Sequence, residues 1–209
     1  MGRKLSPISI RTGTFLPWRS RWFSEREYAD QAVEDAKIRR FLQDKLSEVG
    51  LESVEVERSG TKVKVLLSVS KPGLVIGRGG AGIEILRESL AKEIKGEFEL
   101  EVKEVKDPSL SAPLLAERIA RALERRTQYK RVVREIAEES ISKGALGVKI
   151  ELAGRLGGRR VARREKFSRG SLPLSTLRAE IDFAKVTART RYGSIGVKVW
   201  VHRGEGKRE

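Results

Sequence analysis

Glycines at Gly77, Gly79, Gly80 and Gly82, with Arg78 among them, make a turn that could hold a phosphate. Without side chains in the way, backbone N–H groups approach an anion closely, and the periodic apolar residues from Ile83 onward read as a helix opening behind the turn. Two chemistries fit this spacing. Gly77-Arg78-Gly79-Gly80 is a G-x-x-G loop, able to clamp the backbone of a single-stranded nucleic acid. Gly77-x-Gly79-x-x-Gly82 is also a literal dinucleotide fingerprint, with Glu97, Glu99 or Glu101 available for a ribose hydroxyl.

Two clusters of cations offer a second kind of chemistry, the neutralisation of a polyanion. Arg118, Arg121, Arg125, Arg126, Lys130, Arg131 and Arg134 fall in one short stretch whose only acid is Glu124. Arg118, Arg121 and Arg125 recur at helical spacing on one face. Lys130, Arg131 and Arg134 fall within about 100° of helical arc, opposite Val132, Val133 and Ile136. The second cluster is Arg155, Arg159, Arg160, Arg163, Arg164, Lys166 and Arg169, against Glu165 alone. Between Arg159 and Lys166 both faces of a strand would be basic, so an edge strand or hairpin held against phosphates is expected. Gly157-Gly158 would let that turn pass close to a backbone. Salt bridges on the helices and charge protection of a sheet edge are the plainer explanations of these cations.

Composition narrows the partner. The 209 residues carry 44 Lys and Arg against 29 Asp and Glu, a net charge of +15. That excess points to nucleic acid. Aromatic residues are only 6%, which favours phosphate and shape recognition over base stacking. There is no cysteine and His202 is the only histidine, so thiolate chemistry and Cys/His zinc sites are excluded. No catalytic group, metal or cofactor is expected. No apolar run approaches the roughly 18–20 residues of a membrane helix, and no apolar signal core opens the sequence. Neither membrane nor small-molecule substrate is an expected partner.

The elements follow from periodicity. Residues 1–23 hold Arg3, Lys4, Arg11, Arg19 and Arg21 with no acid, interleaved with Phe15, Trp18 and Trp22, and read as a basic arm ordered on a partner. Ser24 with Glu27 resembles a capping box opening a helix that Gly50 stops. Val54 and Val56, then Val63, Val65, Leu67 and Val69, alternate as two strands joined at Ser59-Gly60. Pro72-Gly73 ends the second, leaving Leu74-Val75-Ile76 too short for the central strand a dinucleotide fold needs before its glycines. A helix over about 81–95 and a strand through Phe98, Leu100 and Val102 complete this part. Asp107–Pro113 has the composition of a boundary. Helices are predicted over 114–127 and 130–143. Strands are predicted at Val148–Leu152, around Arg159–Lys166, at Ile181–Phe183, and at Ile195–Val201. The fold class is α+β: an arm over 1–23, a domain over 24–106, and over 107–209 two helices packed on a four-stranded sheet.

Taken together, these segments resemble bacterial-type ribosomal protein S-three of the small subunit. Ile10-Arg11-Thr12-Gly13 with Pro17-Trp18 is similar to that family's start, and Pro72–Gly77 to the approach to its glycine loop. Gly154-Arg155-Leu156-Gly157-Gly158, Leu172–Asp182 and Tyr192–Trp200 follow the family in order. Where relatives often carry two basic residues inside the loop, this sequence has Arg78 and Gly79. The resemblance implies a type II KH domain followed by the family's C-terminal domain, and no enzymatic activity. It implies binding to small-subunit ribosomal RNA in the subunit head beside proteins S-ten and S-fourteen, in a cytoplasmic, ribosome-bound protein (in an organellar matrix if organelle-encoded). It also implies that Lys130, Arg131 and Arg134 line the channel where messenger RNA enters and help to separate paired messenger. A free KH-type regulator of single-stranded messengers is the alternative, with a nucleotide-dependent enzyme as a third.

Overall fold

The computed structural model describes residues 5–14, 16–47, 49–60, 62–91 and 97–206. It divides into two compact units, Trp18–Lys106 and the pair Met1–Pro17 with Asp107–Glu209. Both mix helices with one four-stranded sheet, so the fold is α+β.

In the Trp18–Lys106 unit the order is β1 (Ser20–Arg21), α1 (Tyr28–Leu46), β2 (Leu51–Ser59), β3 (Lys62–Val69), α2 (Pro72–Ile76), α3 (Ala81–Ala91) and β4 (Glu97–Glu104). The sheet runs β1-β2-β3-β4, with β2 and β3 antiparallel and the other pairs parallel. Strict alternation buries Val63, Val65, Leu67 and Val69 against Ile38, Leu42 and Leu90. The other face is knitted by ion pairs of Arg21 with Glu55 and Glu57, and of Lys64 with Glu101. Two details differ from the sequence reading. Helix α1 starts at Tyr28, because the Ser24 hydroxyl closes a turn by accepting from the Glu27 N–H at 3.2 Å. Leu74-Val75-Ile76 is helical, since Pro72 in the first turn presets a helical φ and its missing N–H costs nothing there. The end expected for α3, residues 92–95, lies outside the described residues.

The other unit holds α4 (Ala112–Glu124), α5 (Tyr129–Ser142), β5 (Gly147–Gly154), β6 (Arg163–Gly170), β7 (Ala179–Thr190) and β8 (Gly193–Glu205). Its sheet is antiparallel in the order β6-β5-β8-β7. Val148, Ile150 and Leu152 of β5 and Val197, Val199 and Val201 of β8 face α4 and α5, burying Leu115, Ile119, Val133 and Ile136. Asp182 of β7 fixes the start of α4: its Oδ2 accepts from the Ala112 N–H at 2.8 Å and from Arg203 at 2.9 Å.

The expected arm is divided between the units. Arg11 is 1% exposed and donates to the carbonyls of Pro7, Leu174, Thr176 and Ala179 at 2.7–3.3 Å. Burial draws its pKa below the ordinary guanidinium value. Ser20-Arg21 instead pairs with β2, and Trp22 Nε1 donates to buried Asp35 at 2.8 Å. Arg11 and Trp22 are therefore structural residues within their own units. Arg3, Lys4 and Phe15 lie outside the described residues.

Candidate nucleic-acid interface

The charge is not spread evenly. Between Trp18 and Lys106, 17 Lys and Arg meet 17 Asp and Glu, so the net +15 falls entirely on residues 1–17 and 107–209. The glycine loop thus sits in a neutral unit and both cation clusters in the basic one.

At the loop the glycines divide by role. Gly77 has φ 71°, and a Cβ there would meet the Gly82 backbone at 2.9 Å; one on Gly82 would meet the Val75 carbonyl at 2.4 Å. These two let α2 and α3 close upon each other. Gly79 and Gly80 also have positive φ but face open space, with Arg78 exposed beside them. Leu74, Ile76 and Ile85 are exposed nearby. The glycines follow a helix and not a strand, which overturns the dinucleotide geometry.

The basic unit brings the two clusters together. Lys130 and Arg134 of α5 and Arg169 of β6 line a single groove floored by Val133, Ala137 and Phe167, with Glu165 also in its lining. Arg131 is exposed on the same helix, which buries Val132, Val133 and Ile136 on its other side. At the start of α5 the groove shares Lys130 with a cleft that also takes in Arg126, Arg155 and Arg159. Strand β6 is an edge strand, as its charge pattern requires, but it spans Arg163–Gly170 and not Arg159–Lys166. Arg159 and Arg160 belong to the exposed connection that follows the Gly157-Gly158 turn.

Several named cations are engaged. Arg118 pairs with Glu139 at 2.6 Å and Arg121 with Glu117 at 3.0 Å. Burial raises the Glu139 carboxyl, but hydrogen bonds from Ser109 and Arg118 and the charges of Arg118 and Lys143 outweigh it, leaving the group below its ordinary value. Burial raises Glu117 despite Arg121. Arg164 pairs with Glu151 at 3.3 Å and Arg169 with Glu138 at 2.9 Å. Arg155 donates to the carbonyls of Arg159 at 2.9 Å and Tyr192 at 3.2 Å, holding two loops together. By contrast, Arg125, Arg126, Lys130, Arg131, Arg134, Arg159, Arg160, Arg163 and Lys166 make no ion pair among the described residues and are exposed.

Comparison with known proteins decides the family. A family model for the KH domain matches residues 37–110, and one for the C-terminal domain of ribosomal protein S3 matches residues 119–201. The small ribosomal subunit protein uS3 of Thermodesulfovibrio yellowstonii is 44% identical over 205 residues, covering 98% of this chain and 95% of that one. Those of Halalkalibacterium halodurans and Lactobacillus gasseri are 41% and 43% identical over the same 98% of this chain, and over 94% and 92% of their own. The chain belongs to the uS3 family.

Membership in the uS3 family makes this a structural, non-enzymatic protein and disposes of the nucleotide-dependent enzyme. Within that frame, sequence reasoning missed two groups of residues. Tyr129 and Tyr192 stand at the cleft, although scarce aromatics argued against stacking. Lys149, Lys185 and Lys198 lie, with Lys166, on the sheet face away from the helices, as their register with Trp200, Glu151 and one another requires. The alternation of Lys198 and Trp200 with Val197, Val199 and Val201 was the available signal for that face.

Proposed function

We propose that the chain is a structural constituent of the small ribosomal subunit head, gripping ribosomal RNA through phosphate contacts of its C-terminal unit. Lys130, Arg131 and Arg134 face the channel where messenger enters and hold the strands of a paired messenger by their phosphates as they separate. Proteins S-ten and S-fourteen are its neighbours. One observation carries the reading: the whole net charge lies on the unit that holds both cation clusters, where Arg126, Lys130, Arg134 and Arg159 line the groove and cleft. Phosphate contacts of this kind position a protein on RNA without reading its sequence. The neutral balance of the KH unit speaks against a free regulator acting through its glycine loop alone.

Sedimentation of a lysate at high and low magnesium tests the placement: comigration with small subunits is expected, and a wholly soluble pool would contradict it. Subunits carrying Lys130→Ala, Arg131→Ala and Arg134→Ala together test the channel. They should assemble and translate an unstructured messenger at near-normal speed, yet slow on a stable hairpin. Equal loss on both messengers would assign these residues to ribosomal RNA.

A further inference from the structure

The cleft beside the start of α5 has features that phosphate binding alone does not need. Its volume is about 530 Å³, inside the range of roughly 300–1,000 Å³ typical of small-ligand sites. Leu123, Leu156, Ile195 and the rings of Tyr129 and Tyr192 supply apolar wall. Arg126, Lys130, Arg159 and Arg191 are cations around it, and none of its lining residues among those described is acidic.

The two rings are seated by the turn at Gly157-Gly158. Both glycines have positive φ, and a Cβ on Gly158 would come within 3.2 Å of the Tyr192 ring. Arg155 lies over that ring at 5.7 Å from its centre while its hydrogen bonds tie the neighbouring loops. Tyr129 is held by its hydroxyl, which donates to Glu165 at 3.1 Å. Burial, with that hydrogen bond, raises the phenol above its ordinary value, so it stays protonated as a donor. Tyr192 is 54% exposed and lines the cleft, so its ring is open to a ligand there.

The chemistry wanted is a flat apolar body attached to a negative charge. We infer that this cleft takes a single unpaired nucleotide of the bound RNA, its base against the tyrosines and its phosphates on the rim cations. Thr127 and Gln128 stand in the lining as hydrogen-bonding groups for the edge of the base, while the Thr190 hydroxyl donates to the Gly193 carbonyl at 2.6 Å. The inference rests on the RNA-binding reading, and goes beyond it by assigning a base-holding site to a surface otherwise argued to be electrostatic.

The test uses the full-length protein and a short single-stranded RNA carrying 2-aminopurine at its centre, beside the same strand with an abasic centre. Base stacking on an aromatic side chain changes affinity by about 5- to 150-fold. The 2-aminopurine emission should therefore be quenched on binding, and the abasic strand should bind at least about five-fold more weakly. Tyr192→Ala should lower affinity for the first strand to the abasic level while leaving the abasic strand unaffected, and Tyr192→Phe should keep the difference. Equal binding of both strands by the unmodified protein would overturn the cleft, whatever the variants do. So would a Tyr192→Ala loss of the same factor on both strands. Failure to bind either strand at low salt would overturn the RNA reading itself, which separates the two ideas.

Discussion

Arg126 occupies the position where helices commonly place glycine. With φ 60° it is the only non-glycine residue of positive φ among those described. Its N–H donates to the Leu123 carbonyl and that of Thr127 to Ala122, both at 3.0 Å, the hydrogen-bond pair that ends a helix on a left-handed residue. A side chain in that conformation costs on the order of 1 kcal/mol, and this one stands at the proposed RNA surface. Arg126→Gly should raise stability by about 1 kcal/mol in a denaturant titration and weaken ribosomal RNA binding. Loss of stability would show that the arginine side chain supports the fold. Arg11 poses the opposite case. Its four carbonyl partners make it a strut, so Arg11→Met should lower stability by about 2–4 kcal/mol, because buried acceptors lose a charged donor. An unchanged midpoint would contradict this.

At the scale of elements, Glu139 links α5 to α4 and to the turn before it. A carboxyl lower in the folded than in the unfolded chain adds stability above its unfolded value, which is lost as pH falls through the folded one. Arg118→Ala should move the Glu139 titration up toward its ordinary value, as NMR of its carboxyl would report; an unmoved titration would dismiss the pair. Arg159 and Arg160 in the connection before β6, and Arg163 at its first residue, are exposed, so replacing all three by alanine should weaken incorporation into subunits and spare the melting temperature. A large fall in melting temperature would make them part of the fold. Much of this architecture was legible because alternating valines and helical spacing encode burial directly, as in Val63–Val69 and Ile195–Val201. The start of β6 was not legible. Its position is set by pairing of Arg163 with Gly154 across the sheet, which no local charge pattern reveals. Nor was the pairing of Arg118 with Glu139, or the meeting of Tyr129 with Tyr192 at one cleft, since each depends on a long-range contact.

For the whole molecule, the sequence's net charge was legible but its partition was not. Acids and bases cancel between Trp18 and Lys106 only once the unit boundaries are known. Likewise Arg11 reads as one more basic residue of an arm until its contact 168 residues away is seen. The electrostatic grip is therefore assigned to the C-terminal unit, with about nine unpaired cations named above available for phosphates. Affinity for a ribosomal RNA fragment, measured across a range of salt, tests this most directly. Setting aside Lys130, Arg131 and Arg134 for messenger leaves about six contacts to ribosomal RNA, and counterion release by these gives a slope of log affinity against log salt between about −4 and −5. Replacing Arg159, Arg160 and Arg163 should make that slope shallower by about 2–3, whereas replacing Lys130, Arg131 and Arg134 should leave it nearly unchanged. A slope shallower than about −3 in the unmodified protein would leave most of these cations idle and contradict the account.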